Sequence, residues 1–339
     1  MPRPPCRTRQ LRVLSALMLA GGLSASAGEA YFTGFENFTA GNDTIIGTDS
    51  WQGTYAGAKL HGVMSQIEHQ VVGIGNAAFI GGFATSVTGT SKSVYVYRPV
   101  NLDPLALNQE VATFSVVFGI KDSTSSRRDN FEFRIYNQTG GLLGGIQFDN
   151  STLDTSNVPR RLIYRLSWDS SLGKYQYVVT DYTFLAETLE TLQIRINYRT
   201  NRWTATLSDV PIFQDLTFYT GAETKNLGWV RAMMLVTNST STTIQPGDNY
   251  MLFDNYTVRS DALTTSLAVS KTATGAAQLS WDEEAGYTYQ VLYSSDCNTW
   301  KSDLAGSSHT ATLTQTHTFT DPTPLVPANR FYRVKRSYP

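Results

Sequence analysis

Three short stretches alternate polar and apolar residues so that chemistry-bearing side chains would stand along one side of a strand. Phe131-Glu132-Phe133-Arg134-Ile135-Tyr136 sets Glu132, Arg134 and Tyr136 against Phe131, Phe133 and Ile135. Ile194, Ile196 and Tyr198 oppose Gln193, Arg195 and Asn197 in the same way, and Leu162, Tyr164, Leu166 and Trp168 leave Arg165 on the other side. A period of two places alternate residues on opposite faces of a sheet. A face bearing Glu132, Arg134, Arg165, Gln193, Arg195 and Asn197 mixes donors and acceptors and can hydrogen-bond hydroxyl groups. The same face on any sandwich also serves simply to meet water. Rings rich in hydroxyls are gripped by stacking as well, and Trp51, Tyr55, Trp203 and Trp229 are the candidate platforms, whereas Trp168 reads as core.

Other chemistries find less support. Glycoside hydrolysis needs two carboxylates facing one bond. Asp282-Glu283-Glu284 falls in an expected turn and Glu187 and Glu190 in a polar stretch, so all read as solvated surface. His61 and His69 lie in a loop-like stretch, His309 and His317 further on, and no His pair has metal-ligand spacing along a strand. Cys297 is the one cysteine outside the first 27 residues and reads as a small buried filler.

Strands must position these residues. Turn sequences such as Asn137-Gln138-Thr139-Gly140-Gly141 and Asp169-Ser170-Ser171-Leu172-Gly173 separate the alternating runs and predict hairpins. Further strands are expected at 93–100, 111–120, 142–148, 175–180, 203–207, 232–236 and 251–258, with one helical turn near 185–191. Ten or more short strands argue for an antiparallel two-sheet sandwich. Residues 260–266 read as a polar linker, and 267–339 as a second, small β-sandwich domain.

The first 27 residues read as a secretory signal, with Arg3, Arg7, Arg9 and Arg12 before an apolar run and Ala25-Ser26-Ala27 at its end. Its removal leaves 23 basic residues against 28 acidic ones, a net charge of −5. That balance gives no reason to expect nucleic acid, and no later segment reaches the roughly 20 apolar residues of a membrane span. The expected location is secreted, extracellular or at the cell surface.

Gly34-Phe35-Glu36 before Trp51, the unit Tyr164-Arg165-Leu166-Ser167-Trp168 to Tyr175-Gln176-Tyr177, the hairpin Asn197-Tyr198-Arg199-Thr200-Asn201-Arg202-Trp203, and the ending Gly247-Asp248-Asn249-Tyr250 with Phe253-Asp254-Asn255 carry a resemblance. Residues 30–259 resemble the concanavalin A-like lectin/glucanase superfamily, which includes laminin-G-like and jelly-roll modules. The resemblance implies an all-β sandwich whose first and last strands meet, and a structural Ca²⁺ held there by Glu36 and Asp254. It also implies non-catalytic binding of an extracellular polysaccharide or glycoconjugate, because the Glu-x-Asp-x-Glu strand of the glucanases is missing. The alternatives are a structural or adhesive surface protein that contacts other surface proteins, and a divergent glycoside hydrolase or polysaccharide lyase. Leu279-Ser280-Trp281, Tyr287-Thr288-Tyr289-Gln290-Val291 and Arg330-Phe331-Tyr332-Arg333-Val334 make the second block resemble a fibronectin type III-like or Ig-like module of secreted bacterial proteins.

Overall fold

The computed structural model describes residues 28–338 apart from 83–85, 90, 241, 264 and 323–329. The expected signal at 1–27 lies outside the described residues. Among the described residues the regular structure is almost entirely antiparallel β-strand. One sheet has nine strands, running in the order Val210–Thr217, Arg202–Leu207, Glu190–Asn197, Val111–Lys121, Tyr250–Asp261, Ala77–Gly81, His61–Met64 and Gly41–Asn42, with Gly28–Thr33 also pairing onto Tyr250–Asp261. The other has seven, in the order Lys174–Thr183, Leu162–Asp169, Leu142–Asp149, Asn130–Tyr136, Trp229–Leu235, Ser93–Tyr97 and Gln52–Gly53.

The two sheets close on each other through the apolar phase of their alternation. Phe114 and Phe118 from one meet Phe133 and Phe148 from the other, with ring centroids 5.4 Å apart for Phe114–Phe133 and 4.5 Å for Phe118–Phe148. The expected hairpins form: Asn130–Tyr136 returns as Leu142–Asp149 around Gly140, whose φ of 89° is costly for any residue with a Cβ. The terminal strands meet as expected, Tyr31 lying opposite Val258. A bulge between Asp254 and Thr257 turns both Phe253 and Tyr256 into the core, three residues apart, where strict alternation would have exposed one of them.

Some elements differ from the reading of the sequence. Tyr250–Asp261 continues two residues into the stretch read as linker. The expected helical turn at 185–191 is not helical, and Glu190 already begins a strand; among the described residues a short α-helix forms at Gln66–His69, started by a Ser65/Glu68 capping box, beside a 3₁₀ turn at Thr48–Ser50.

Beyond Asp261 come two three-stranded sheets. One orders Leu267–Lys271, Ala277–Glu283 and Gln315–Thr320; the other orders Ser308–Thr310, Thr288–Ser294 and Phe331–Ser337. Leu279, Trp281, Tyr289 and Val291 form a core of their own between them. This small sandwich docks on the outer face of the nine-stranded sheet through polar contacts. Arg195 Nη1 and Asn197 Nδ2 donate to Glu284 Oε1 at 2.6 and 3.1 Å, the Thr314 amide donates to Asp215 at 2.7 Å, and Tyr287 and Arg336 both reach Glu110. Cys297 is exposed and in no disulfide, which corrects its reading as a buried filler.

Candidate functional site: the outer face of the seven-stranded sheet

The polar phase of Asn130–Tyr136 lies on the outer face of the seven-stranded sheet, and its cross-strand neighbours fix what joins it. Glu132 lies opposite Gln147 and Met233, Arg134 opposite Gly145 and Arg231, and Tyr136 opposite Trp229. The next strands add Tyr164 beside Gln147, and Tyr95 and Tyr97 beside Met233 and Arg231. Residues directly opposite in adjacent strands share a face, so these side chains form one continuous surface.

Two units make up this surface. In the first, the buried Glu132 carboxylate is the hub: Gln147 Nε2 and Tyr177 Oη donate to its Oε1 at 2.7 and 2.6 Å, and Arg134 pairs with its other oxygen. Arg134 Nη2 also donates to Tyr177 Oη at 2.7 Å, which closes a ring of three side chains with Gln147 attached at Glu132. Burial works against the Arg134 charge, but the adjacent Glu132 carboxylate more than restores it and holds the guanidinium cationic. Burial, and then Glu132, push the Tyr177 phenol up, so it stays a protonated donor. Gly145 leaves room for the Arg134 side chain opposite it, since a Cβ there would sit 3.3 Å from Arg134 Cγ and 2.7 Å from the Phe133 carbonyl oxygen.

In the second unit Arg231 is held by aromatic rings. Its guanidinium carbon lies 4.1 Å from the ring centroids of both Tyr95 and Tyr136, 5.1 Å from Tyr97 and 5.8 Å from Trp229. Trp229 stacks on Tyr136 at 5.9 Å and tilts against Tyr97 at 5.0 Å. Tyr97 Oη in turn donates to Gln52 Oε1 at 2.7 Å. Arg231 forms no ion pair among the described residues, and its Nε is buried without a hydrogen-bond partner.

Of the sequence-derived candidates, Glu132, Arg134 and Trp229 belong to this surface, and the others lie elsewhere. Trp51 and Trp203 are buried in the core and have no ring face to offer a ligand. Trp51 Nε1 donates to Tyr31 Oη at 3.0 Å, and Trp203 packs on Phe213 and Phe218. Tyr55 packs partly against the core and donates to the Ser91 carbonyl at 2.7 Å. Arg165 lies opposite Ile146, on the inner side of the sheet, and lines a cleft with Trp168, Val178, Leu216 and Phe218 at the open side of the sandwich. The alternation of that strand therefore runs in the opposite phase to the one its apolar residues predict: Ile163 and Arg165 face inward, Tyr164 and Leu166 outward. Gln193, Arg195 and Asn197 lie on the opposite outer face, and the latter two are engaged by Glu284. Glu283 and Glu284, read as solvated surface, are buried.

Tyr95, Tyr97, Tyr136, Gln147, Tyr177 and Arg231 join this surface beyond the residues the sequence points to. For Tyr95, Tyr97 and Arg231 the signal lies in Ser93-Val94-Tyr95-Val96-Tyr97 and Trp229-Val230-Arg231-Ala232-Met233, which alternate as cleanly as Phe131 to Tyr136.

Glu36 follows the strand Gly28–Thr33, which pairs with Tyr250–Asp261, and its charge reaches Asp254 within that strand. Burial, then the neighbouring Glu36 charge, push the Asp254 carboxyl up to about 6, and neither acid pairs with a Lys or Arg among the described residues. Glu36 Oε2 accepts the Asn76 amide at 3.2 Å, and the backbone passes so close that a Cβ on Gly75 would fall 1.9 Å from Glu36 Oε1. Carboxylate oxygens suit hard cations, and calcium takes six to eight oxygens in all.

No family model matches the chain, and no curated protein sequence does. Solved structures of similar shape include a carbohydrate esterase from the Shiga toxin-encoding bacteriophage phi24B, at 12% identity and a TM-score of 0.44, covering 70% of this chain and 100% of that one. An endo-1,3-beta-glucanase from Streptomyces sioyaensis follows at 10% identity and 0.43, covering 72% and 100%. An alginate lyase mutant in complex with alginate tetrasaccharide stands at 9% and 0.43, covering 68% and 96%. At this distance no residue role is carried across. No described helix is long and apolar enough to cross a membrane.

Proposed function

We propose that this chain is a secreted protein that binds an extracellular polysaccharide through the outer face of its seven-stranded sheet, and that the polysaccharide is acidic. The observation that carries this reading is Arg231, a cation set among Tyr95, Tyr97, Tyr136 and Trp229 with no carboxylate paired to it among the described residues. Aromatic faces suit the apolar faces of sugar rings, and an unneutralised guanidinium suits a uronate carboxylate or a sulfate. Titration calorimetry against alginate, polygalacturonate and chondroitin sulfate, with neutral glucans as controls, tests it. Arg231→Ala is expected to weaken binding by about 2 kcal/mol, or roughly 30-fold, the loss typical of a central anchor, with Arg195→Ala unchanged. No binding to any acidic glycan at millimolar sensitivity sinks the proposal.

A polysaccharide lyase is the second reading, favoured by Tyr177, Arg134 and Gln147 converging on Glu132. Lyase chemistry asks a Tyr to remove a proton, and a phenol pushed up by burial and a carboxylate is poorly placed to do so. Binding is therefore preferred; growth of unsaturated-uronate absorbance, lost in Tyr177→Phe, would reverse that preference. The small sandwich is proposed as a spacer or adhesive module. Glu36 and Asp254 are proposed to hold a structural Ca²⁺: EDTA should lower the melting temperature and calcium, but not magnesium, restore it, whereas an unchanged melt removes the ion.

A further inference from the structure

The small sandwich gathers three residues that the function above does not use. Glu283 ends the strand Ala277–Glu283, and His317 stands in the adjacent Gln315–Thr320. His309 comes from Ser308–Thr310, an outer strand of the facing sheet. The two imidazoles stack with centroids 4.4 Å apart and planes 16° from parallel, and Trp281 backs His317 at 4.9 Å.

Glu283 points one oxygen at both rings. Its Oε2 lies 3.2 Å from His309 Nε2 and 3.6 Å from His317 Nδ1, and the three donor atoms all fall within 4.8 Å of one another. The other oxygen is occupied, accepting Gln315 Nε2 at 3.2 Å. The Glu283 side chain is 0% exposed, yet neither its Oε2 nor His309 Nε2 has a hydrogen-bond partner. A carboxylate buried without a Lys or Arg partner among the described residues is costly unless a cation reaches it.

A divalent metal resolves both problems. Zinc bound at about 2.0–2.2 Å in tetrahedral geometry sets its ligand atoms about 3.3 Å apart, close to the two distances seen here. Two nitrogens and one oxygen select a borderline ion such as zinc over calcium or magnesium. The Gln315 contact fixes the carboxylate in the way that outer partners orient metal ligands. We propose that Glu283 Oε2, His309 Nε2 and His317 Nδ1 form a zinc site, with the fourth position open to water, since His309 and His317 are 35% and 25% exposed. The ion ties the two three-stranded sheets together at one corner, in a unit of about 70 residues that has no disulfide to staple it.

The test is metal binding by the full chain. After stripping with a chelator, the protein is dialysed against zinc chloride and its metal content counted, with cobalt(II) substituted for its visible spectrum. One zinc per chain is expected, with a Kd below about 10 μM, alongside a cobalt spectrum of tetrahedral intensity. Glu283→Gln, which keeps the size and the Gln315 contact, and His309→Gln and His317→Gln should each weaken zinc by at least about 100-fold, more than the 10–100-fold that loss of an outer partner costs. Matching circular dichroism spectra show that each variant is folded. Less than one zinc in ten chains, or zinc held equally by the His309→Gln, His317→Gln double variant, overturns the proposal.

Discussion

Arg134 and Arg195 occupy nearly identical local sequence, Phe133-Arg134-Ile135 and Ile194-Arg195-Ile196, each in the middle of a long strand with its cation on the outer side. Their fates are opposite. Arg134 is satisfied from its own strand by Glu132 and stays on a face lined with Tyr177, Arg231 and Trp229. Arg195 is satisfied by Glu284, 89 residues away, and its face is where the small sandwich docks. A polar outward phase thus says that a face avoids the core; which partner it meets is decided by the acid that reaches the cation. A local acid leaves the face open, and a remote one recruits a domain.

The largest effect expected from this contrast is on Glu132. Glu132→Ala leaves Arg134 mostly buried with no counter-charge and strands the donors of Gln147 and Tyr177. Breaking a buried pair by removing one partner costs about 3–5 kcal/mol. Urea denaturation should show that loss, and the double change Glu132→Ala, Arg134→Met should recover much of it. A single-variant loss under about 1 kcal/mol would mean that Arg134 is solvated in place, and the contrast with Arg195 would collapse.

Glu284→Ala should have a smaller effect of a different kind. It removes the acceptor shared by Arg195 and Asn197, worth about 1–3 kcal/mol for buried groups left unsatisfied. Because the contact joins two cores, the loss should appear as separation of one melting transition into two by calorimetry, with polysaccharide affinity unchanged. Weakened glycan binding in this variant would show instead that the docked face takes part in recognition.

How far this was legible in the sequence depends on which interactions decided each element. The hairpins around Gly140 and Gly173 were readable because alternation and turn chemistry are local. The short strands His61–Met64, Ala77–Gly81 and Val210–Thr217 were missed: the first two are buried at every position and so do not alternate, and the third carries Pro211 on an edge, where a missing amide is tolerated. Arg165 faces inward against the pattern of its neighbours because its strand lies next to the mostly exposed edge strand Lys174–Thr183, where apolar residues no longer mark the inside. Trp51 and Trp203 look like binding platforms in a sequence, and only packing shows that Tyr256 and Phe218 enclose them. The Glu283, His309 and His317 cluster has no spacing signature, since it forms across two sheets rather than along one strand.

The smallest prediction tests the open face most finely. Tyr177 is 42% exposed, so its ring remains available to a ligand while its hydroxyl donates to Glu132 and accepts from Arg134. Tyr177→Phe keeps the ring and removes both hydrogen bonds, for a stability loss of about 1 kcal/mol, since water can replace part of what is lost at an exposed position. Thr314→Val, which removes one hydroxyl bond to Asp215 on the docked side, should cost a similar amount. The pair separates at the level of binding: if the outer face of the seven-stranded sheet is the recognition surface, Tyr177→Phe changes polysaccharide affinity measurably by removing one of the two partners that hold Arg134, and Thr314→Val does not. Equal affinities for the two variants would confine recognition to the Arg231 cage and reduce the Glu132 ring to a structural brace.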